Sequence, residues 1–214
     1  MRILVIEQQP DAPAGLVEEW ALQRGARVDV VRAPDLVQWP APRSADAVVA
    51  LGSDRSVHAS SDPWIAAQLQ FLRAAHEAEV PVLGICFGGQ ALAAALGGSV
   101  GRAPRTEIGW IEVDGDDGYG GRWFTWHEDV FTVPPGAVEL ARASSGPQAF
   151  ALGRSVGLQY YPEVTEAIVD DWLATGGDAV PDPEPLRRET ARRARGARER
   201  AFALFDRIAV RWTR

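Results

Sequence analysis

Short apolar runs alternate with amphipathic segments along the first hundred residues. We predict buried strands where apolar residues follow one another, and helices where they recur every three or four positions. The predicted strands are Arg2–Ile6, Val28–Val31, Asp46–Leu51 and Val82–Ile85; the predicted helices cover 14–24, 63–77 and the segment after Cys86, and 33–45 is a predicted loop. Because strands that alternate with helices form parallel sheets covered on both faces, this half predicts a doubly wound, mostly parallel α/β sheet.

The pattern changes after Gly98, where Gly-rich turns separate short strand candidates. These candidates are Ile108–Val113, Trp123–Trp126, Val138–Ala143, Ala149–Leu152 and Val156–Tyr160. We interpret them as a mixed or antiparallel extension of the same sheet. A helix at 165–174, a Gly/Pro-rich linker at about 175–185 and an arginine-rich helix at about 186–212 complete the chain. The last helix has an apolar stripe of Phe202, Phe205, Ile208 or Ala209, and Trp212, so we expect one domain spanning 1–214.

Composition excludes several functional classes. The net charge of −7 argues against general nucleic-acid binding. All the basic residues are arginines, which excludes lysine-based chemistry on this chain. The sequence has no apolar run long enough to span a membrane and no N-terminal signal pattern, and its single cysteine suits a reducing compartment. We therefore expect a cytoplasmic protein with no membrane association, no metal ion and no cofactor.

The segment VLGICFGGQALAAALGG, residues 82–98, carries the strongest chemical signal. A buried strand ends at a Gly-x-Cys-x-Gly turn formed by Gly84, Cys86 and Gly88, and a helix follows at once. A side chain on such a turn projects from a tight bend, and the helix N-terminus favours a thiolate. On this local pattern alone, Cys86 is either a nucleophile or a small buried cysteine that packs at the end of the strand.

Five segments in order resemble the class I glutamine amidotransferase family, of the stand-alone type similar to the glutaminase part of guanosine monophosphate synthetase. They are ALGSDRSVHASSDPWI, VLGICFGGQALAAALGG, TEIGW, WHEDVFTVPPGA and VGLQYYPEVTEAIVDDWL, and the resemblance covers roughly residues 1–174. It implies a flavodoxin-like fold and places Cys86 at the nucleophile position. It also implies a small glutamine-like amide as substrate, and a separate synthetase or acceptor protein as partner, because no synthetase domain is present.

In this family a cysteine thiolate attacks the glutamine amide, a histidine transfers the protons, and a carboxylate orients the histidine. The resemblance places that carboxylate at Glu163. It places the backbone donors for the oxyanion at Phe87 and at Gly52-Ser53. Gln90, one helical turn past Cys86, corresponds to a residue that helps to bind the substrate.

The chain departs from the family pattern at two places. Where the family has a histidine base, this chain has Tyr161, whose phenol has an ordinary pKa of about 10 and is a poor proton acceptor at neutral pH. Glu163 is then left to hydrogen-bond Tyr161 or to act as a weaker base. Where the family has two glycines and a proline, this chain has Gly52-Ser53-Asp54. Because serine disfavours a positive φ, we expect an oxyanion hole that is built differently or is unformed in the free protein.

Three histidines are candidates to replace the missing base. His58 lies in the loop that the resemblance assigns to the oxyanion hole, and it would reach Cys86 if that loop folded over the cysteine. His127 lies in a segment that approaches the family's substrate pocket, where it either contacts the ligand or stabilises a turn. His76 lies near the end of an amphipathic helix, away from the expected site.

The sequence leaves three functions open. The first is cysteine acyl chemistry on glutamine or a γ-glutamyl amide with a non-standard triad. The second is a catalytically impaired or silent member of the family that binds a ligand or regulates a partner. The third is a γ-glutamyl amide hydrolase on the same fold. The intact cysteine turn and Glu163 favour an enzyme, whereas Tyr161 and the Gly52-Ser53-Asp54 loop favour the silent alternative.

Overall fold

The computed structural model describes residues 1–59, 61–116, 118–176 and 179–213. Within them, nine strands form one sheet in the order β2-β1-β3-β4-β9-β8-β7-β5-β6. The strands are β1 Arg2–Glu7, β2 Arg27–Arg32, β3 Ala47–Ala50, β4 Val82–Ile85, β5 Val100–Gly115, β6 Gly121–Phe131, β7 Val138–Ala143, β8 Gly146–Leu152 and β9 Ser155–Leu158. The helices are α1 Leu16–Gln23, α2 Pro63–Glu77, α3 Phe87–Ala95, α4 Glu166–Thr175 and α5 Glu184–Trp212.

Five strands form the parallel half of the sheet. β1 pairs in parallel with β2 and β3, β3 with β4, and β4 with β9. Successive side chains of a strand point to opposite faces, and apolar residues cover both faces here. Val5 and Val49 belong to one core cluster with α1 and α5, whereas Ile6 and Val48 belong to a second cluster with α2 and α3. The predicted doubly wound α/β sheet is therefore confirmed.

The other strands form the antiparallel extension that the sequence predicts. β9 pairs with β8, β8 with β7, and the end of β5 with β7. β5 and β6 form a long antiparallel ribbon that reaches well beyond the predicted strands at 108–113 and 123–126. The added length carries Arg102, Glu107 and Glu128, whose charges interrupt the apolar pattern. The strands pair Arg102 with Asp129 and Glu107 with His127, with an irregularity between the two pairs, so cross-strand pairing extends the ribbon without an apolar run.

Smaller differences concern element ends. The predicted loop at 33–45 contains two 3-10 turns, Ala33–Asp35 and Pro42–Ser44. The predicted helix at 14–24 spans only Leu16–Gln23. Of the predicted linker, residues 177 and 178 lie outside the described parts of the chain. No helix in the parts that the structure describes combines the length and apolar character needed to cross a membrane.

The arginine-rich helix α5 packs against the fold through its apolar stripe. Phe205, Ile208 and Trp212 are buried, whereas Phe202 is only partly so. The ring of Trp20 in α1 lies 5.7 Å from that of Phe205, and its indole N–H donates to Asp206 Oδ1 at 3.0 Å. The helix that carries these arginines is therefore held in place by apolar packing.

Candidate functional site

Cys86 lies on a tight turn between β4 and α3, beyond the carboxyl end of the parallel strands. Its φ of 50° is in the left-handed region, which a non-glycine residue adopts only when its surroundings impose it. The Cys86 N–H donates to the Leu158 carbonyl at 2.8 Å, and the Gln90 N–H donates to the Cys86 carbonyl at 2.9 Å. The sheet on one side and the helix on the other hold the cysteine in this conformation.

Glycines around the turn allow the helix to approach the sheet. A Cβ on Gly88 would lie 2.0 Å from the Ala50 carbonyl oxygen, and one on Gly89 would lie 2.3 Å from that of Leu158. A Cβ on Gly84 would lie 2.3 Å from the carbonyl oxygen of Gly88. Each distance is too short for a real side chain. These positions therefore require glycine because backbone packs directly on backbone.

The Cys86 thiol is buried, and burial raises its pKa to about 12. A hydrogen bond with Tyr161 and the backbone N–H of Phe87 act in the opposite direction, whereas the charge of Glu163 raises the pKa further. The expectation that the helix N-terminus favours a thiolate is therefore outweighed by loss of solvent around the sulfur. At neutral pH, Cys86 is a neutral thiol.

Tyr161 contacts both the cysteine and the predicted oxyanion loop. Its hydroxyl donates to the Trp126 carbonyl at 3.2 Å and also lies within hydrogen-bonding reach of Cys86. A Cβ on Gly52 would lie 2.8 Å from Tyr161 Cε1, so the ring packs directly on the Gly52 backbone. Burial raises the pKa of the phenol well above its usual value. The residue at the position of the base is therefore fully protonated at neutral pH.

Glu163 is buried and uncharged over much of the neutral range. Burial raises the pKa of its carboxyl to about 8, and its Oε2 has no hydrogen-bond partner among the described residues. Its backbone carbonyl accepts from the Leu16 N–H at 2.9 Å, which ties the segment to α1. The expected hydrogen bond between Glu163 and Tyr161 does not form among the described residues. The Tyr161 hydroxyl instead donates to the Trp126 carbonyl.

We expect Glu163 to make folding less favourable as the pH rises. Its pKa is about 8 in the folded protein and about 4.3 in an unfolded chain, so between these values the folded state holds the extra proton. The free energy of unfolding then falls with pH, by at most about 1.4 kcal/mol per unit from this group. Urea unfolding at pH 5 and pH 8 tests it: the gain in stability of Glu163→Gln over wild type should be much larger at pH 8 than at pH 5. Exposed Glu77→Gln is the control, and an equal effect of Glu163→Gln at both pH values would contradict the prediction.

Hydrogen bonds tie the segment after Gly52 to neighbouring elements. The Asp54 N–H donates to Gln9 Oε1 at 2.7 Å. The Ser56 hydroxyl donates to Asp129 Oδ2 at 2.5 Å, and His58 Nε2 lies 3.2 Å from Asp129 Oδ1. His58 therefore pairs with a carboxylate of β6 instead of reaching the cysteine. Ser53 has no positive φ, which agrees with the conformational preference of serine.

The other two histidines also have carboxylate or hydroxyl neighbours. His127 Nε2 lies 3.4 Å from Glu107 Oε2, across the ribbon of β5 and β6, and both side chains are buried. The interaction with His127 lowers the pKa of Glu107. His76 Nδ1 lies 2.9 Å from the Ser155 hydroxyl at the amino end of β9, which is the edge of the parallel sheet opposite to Cys86. His76 therefore lies away from the site.

Two buried glutamines complete the surroundings of the cysteine. Gln90 Nε2 donates to the Asp129 carbonyl at 3.0 Å and to Gln159 Oε1 at 3.4 Å. Gln159 Nε2 donates to the Cys86 sulfur at 3.8 Å. These amides connect α3, β6 and the segment after β9 around the thiol.

A cavity of about 670 Å³ opens at this place and is lined by six of the predicted site residues, namely Gly52, Ser53, Cys86, Gln90, His127 and Tyr161. Phe87, Glu163 and His58 are not among the residues that line it. The lining residues that the sequence analysis did not predict include Gln9, Arg102, Trp126, Asp129 and Trp172. For Asp129 a signal existed, because it follows His127 by two positions and so shares its face of a strand.

A strand–turn–helix cysteine in a doubly wound sheet, with a cavity at the carboxyl ends of the strands, defines an α/β protein with a nucleophile-elbow type of site. The sequence model described as "Glutamine amidotransferase class-I" matches residues 16–171. The chain belongs to this family.

Solved structures agree along almost the whole chain. A glutamine amidotransferase from Methylobacillus flagellatus has a TM-score of 0.89 and 25% identity, and the superposition covers 99% of this chain and 94% of that one. A glutamine amidotransferase from Thermotoga maritima has a TM-score of 0.88 and 26% identity, with 97% of both chains covered. The flavodoxin-like fold of the class I family is thus confirmed.

A curated relative extends beyond this chain. The GMP synthase (glutamine-hydrolyzing) of Aeropyrum pernix is 38% identical over 113 residues, which are 45% of this chain and 22% of that protein. The chain thus aligns with less than a quarter of the length of this relative.

Proposed function

We propose that this protein binds a glutamine-like amide in the cavity at Cys86 and that its capacity to hydrolyse the amide is strongly suppressed. The observation that carries the proposal is the position of Tyr161, which contacts Cys86 and packs on Gly52 where the family pattern has a histidine base. The protein would then act as a ligand-binding or partner-regulating member of its family.

The protonation states support suppression. Attack on an amide requires a thiolate, and the thiol of Cys86 has its pKa raised to about 12 by burial. A neighbouring base would normally remove the proton, but the phenol of Tyr161 is protonated and the carboxyl of Glu163, with a pKa of about 8, is largely protonated too. Among the described residues, His58 Nε2 lies 3.2 Å from Asp129 Oδ1, and His127 Nε2 lies 3.4 Å from Glu107 Oε2. Neither imidazole of this pair is hydrogen-bonded to Cys86, whose sulfur instead accepts from Gln159 Nε2.

The place of the tyrosine ring supports suppression as well. The tetrahedral intermediate carries a negative oxygen on the attacked carbon. Two N–H donors that face this oxyanion are required to stabilise it. The resemblance assigns them to Phe87 and to the Gly52-Ser53 loop. The Tyr161 ring packs on Gly52 while its hydroxyl reaches Cys86, so it fills space beside the sulfur that the intermediate would need.

The cavity and the cysteine elbow remain intact, and both support ligand binding. Gln90 and the elbow cysteine Cys86 both line the open cavity. A pocket of several hundred Å³ with a few converging polar groups is the usual form of a small-molecule site.

A second candidate is slow cysteine acyl chemistry on glutamine or a γ-glutamyl amide. The strained φ of 50° at Cys86 favours it, because such strain persists mainly where a reactive group must be presented. This candidate predicts a covalent adduct at Cys86 with a glutamine-like diazoketone.

The test combines binding with turnover. Calorimetry with L-glutamine should show binding to the wild-type protein, while ammonia release should not exceed that of Cys86→Ala. Ammonia release by wild type that Cys86→Ala abolishes would overturn suppression in favour of the second candidate. Absence of binding both of glutamine and of its N-substituted γ-amides would overturn the proposal as a whole.

The relative named GMP synthase supports a further part of this proposal, a separate synthetase or acceptor protein as partner. We also propose that residues 1–214 act as one domain, since α5 packs on α1 and α4 instead of standing apart.

A further inference from the structure

Three aromatic rings form a continuous wall that leads away from Cys86. We call Tyr161, Trp172 and Trp126 the aromatic wall. The centroid of the Tyr161 ring lies 5.0 Å from that of Trp172 at an interplanar angle of 68°. The Trp172 ring lies 6.1 Å from that of Trp126 at 83°. All three residues line the cavity, and the two tryptophans are only partly buried.

The orientation of the aromatic wall is fixed by its neighbours. The Trp172 indole N–H donates to the Asp11 carbonyl at 2.6 Å. A Cβ on Gly176 would lie 2.9 Å from Trp126 Cζ2, so only glycine allows the indole to pack there. The Tyr161 hydroxyl is held by the Trp126 carbonyl. These rings are therefore held in place before any ligand binds. The protein then loses little side-chain entropy when a ligand stacks on them.

The cavity also exceeds the needs of free glutamine. Its volume of about 670 Å³ falls in the range of about 300–1,000 Å³ that is typical of pockets for drug-sized ligands. Ile108 and Ala12 add apolar surface beside the aromatic wall. Glutamine ends in a polar carboxamide, and beyond its two methylenes it has no apolar group to place against two indoles. A partly exposed aromatic surface inside a cavity is instead typical of a site for a flat apolar group.

We infer that the preferred ligand is a γ-glutamyl amide whose amide nitrogen carries an aromatic group. This rests on the proposed binding of a glutamine-like amide at Cys86. The glutamyl end lies near Cys86 and Gln90, and the aromatic substituent lies on the indoles of Trp172 and Trp126. Asp54 and Arg55, an exposed ion pair at 3.6 Å, put charges of both signs at the cavity, and such charges suit the zwitterionic end of such a ligand.

Calorimetry with three ligands tests the inference: L-glutamine, γ-L-glutamyl-ethylamide and γ-L-glutamyl-anilide. We expect wild type to bind the anilide at least about tenfold more tightly than the ethylamide, because one aromatic contact pair contributes about this much. Trp126→Ala should weaken binding of the anilide much more than binding of the ethylamide, and so remove most of that preference. Trp39→Ala is the matched control: Trp39 is a partly buried tryptophan that packs on Phe71 in the other core cluster.

The outcomes separate this inference from the function on which it rests. Equal affinity of wild type for the anilide and the ethylamide would overturn the aromatic preference while leaving amide binding intact. So would an unchanged preference in Trp126→Ala, or in Trp126→Leu should the alanine variant not fold. Failure of all three ligands to bind wild type would overturn both proposals.

Discussion

Replacing Tyr161 by histidine should raise the rate of ammonia release from glutamine by about 10²–10⁴-fold, the usual contribution of a positioned general base. The histidine would replace a protonated phenol beside the Cys86 sulfur with a group whose ordinary pKa is about 6.5. The buried Glu163 would also regain a donor for its orphaned Oε2. A smaller side chain would in addition clear the ring from Gly52. Coupled measurement of ammonia with purified wild type and variant checks the result.

Two further variants make this prediction specific. Tyr161→Phe removes the hydroxyl but supplies no base, so its rate should stay at the wild-type level. The double variant with Cys86→Ala and Tyr161→His should lose all the gained activity, because the thiol is the attacking group. A folded Tyr161→His protein that binds glutamine but releases ammonia no faster than wild type would refute the account of suppression.

Replacing Gly88 by alanine should destabilise the fold by about 3 kcal/mol, the upper range for overpacking a tight interior. The new Cβ would lie 2.0 Å from the backbone oxygen of Ala50, which cannot move without disturbing β3. For a chain of this size such a loss lowers Tm by about 6–12 °C. Differential scanning calorimetry measures the shift.

Gly196→Ala is the matched control for this substitution. Gly196 is exposed within α5, and a Cβ there would meet nothing within 4 Å. Because alanine is the better helix former, this variant should gain about 0.5–1 kcal/mol. Equal behaviour of the two variants would show that backbone contact at the elbow does not require glycine.

The sequence predicts the parallel half of the fold well because its strands are buried on both faces. Such strands are continuous apolar runs, as in β3 and β4, and they need no knowledge of their partners. The ribbon of β5 and β6 is different. Its pairing of Glu107 with His127 depends on long-range register, which a local pattern does not contain.

The candidate site likewise has features that the local sequence predicts and features that depend on tertiary contacts. Cys86 and the glycines of its turn are adjacent in sequence, so their pattern is visible directly. The contact of Tyr161 with Gly52 joins residues from distant segments. The meeting of Trp126 and Trp172 at the cavity depends on how α4 packs on the ribbon. The state of the thiol depends on burial, which exceeds the effect of the helix N-terminus that the sequence suggests.

The pH dependence of Cys86 alkylation tests most directly the claim that this site keeps its thiol neutral. Cys86 is the only cysteine, so intact-mass measurement after iodoacetamide treatment reports on it alone. With a pKa of about 12, the alkylation rate of wild type should rise about tenfold per pH unit from pH 6 to pH 9 and reach no plateau. A rate that levels off at or below about pH 7 would show that a thiolate already exists there, and would contradict the account.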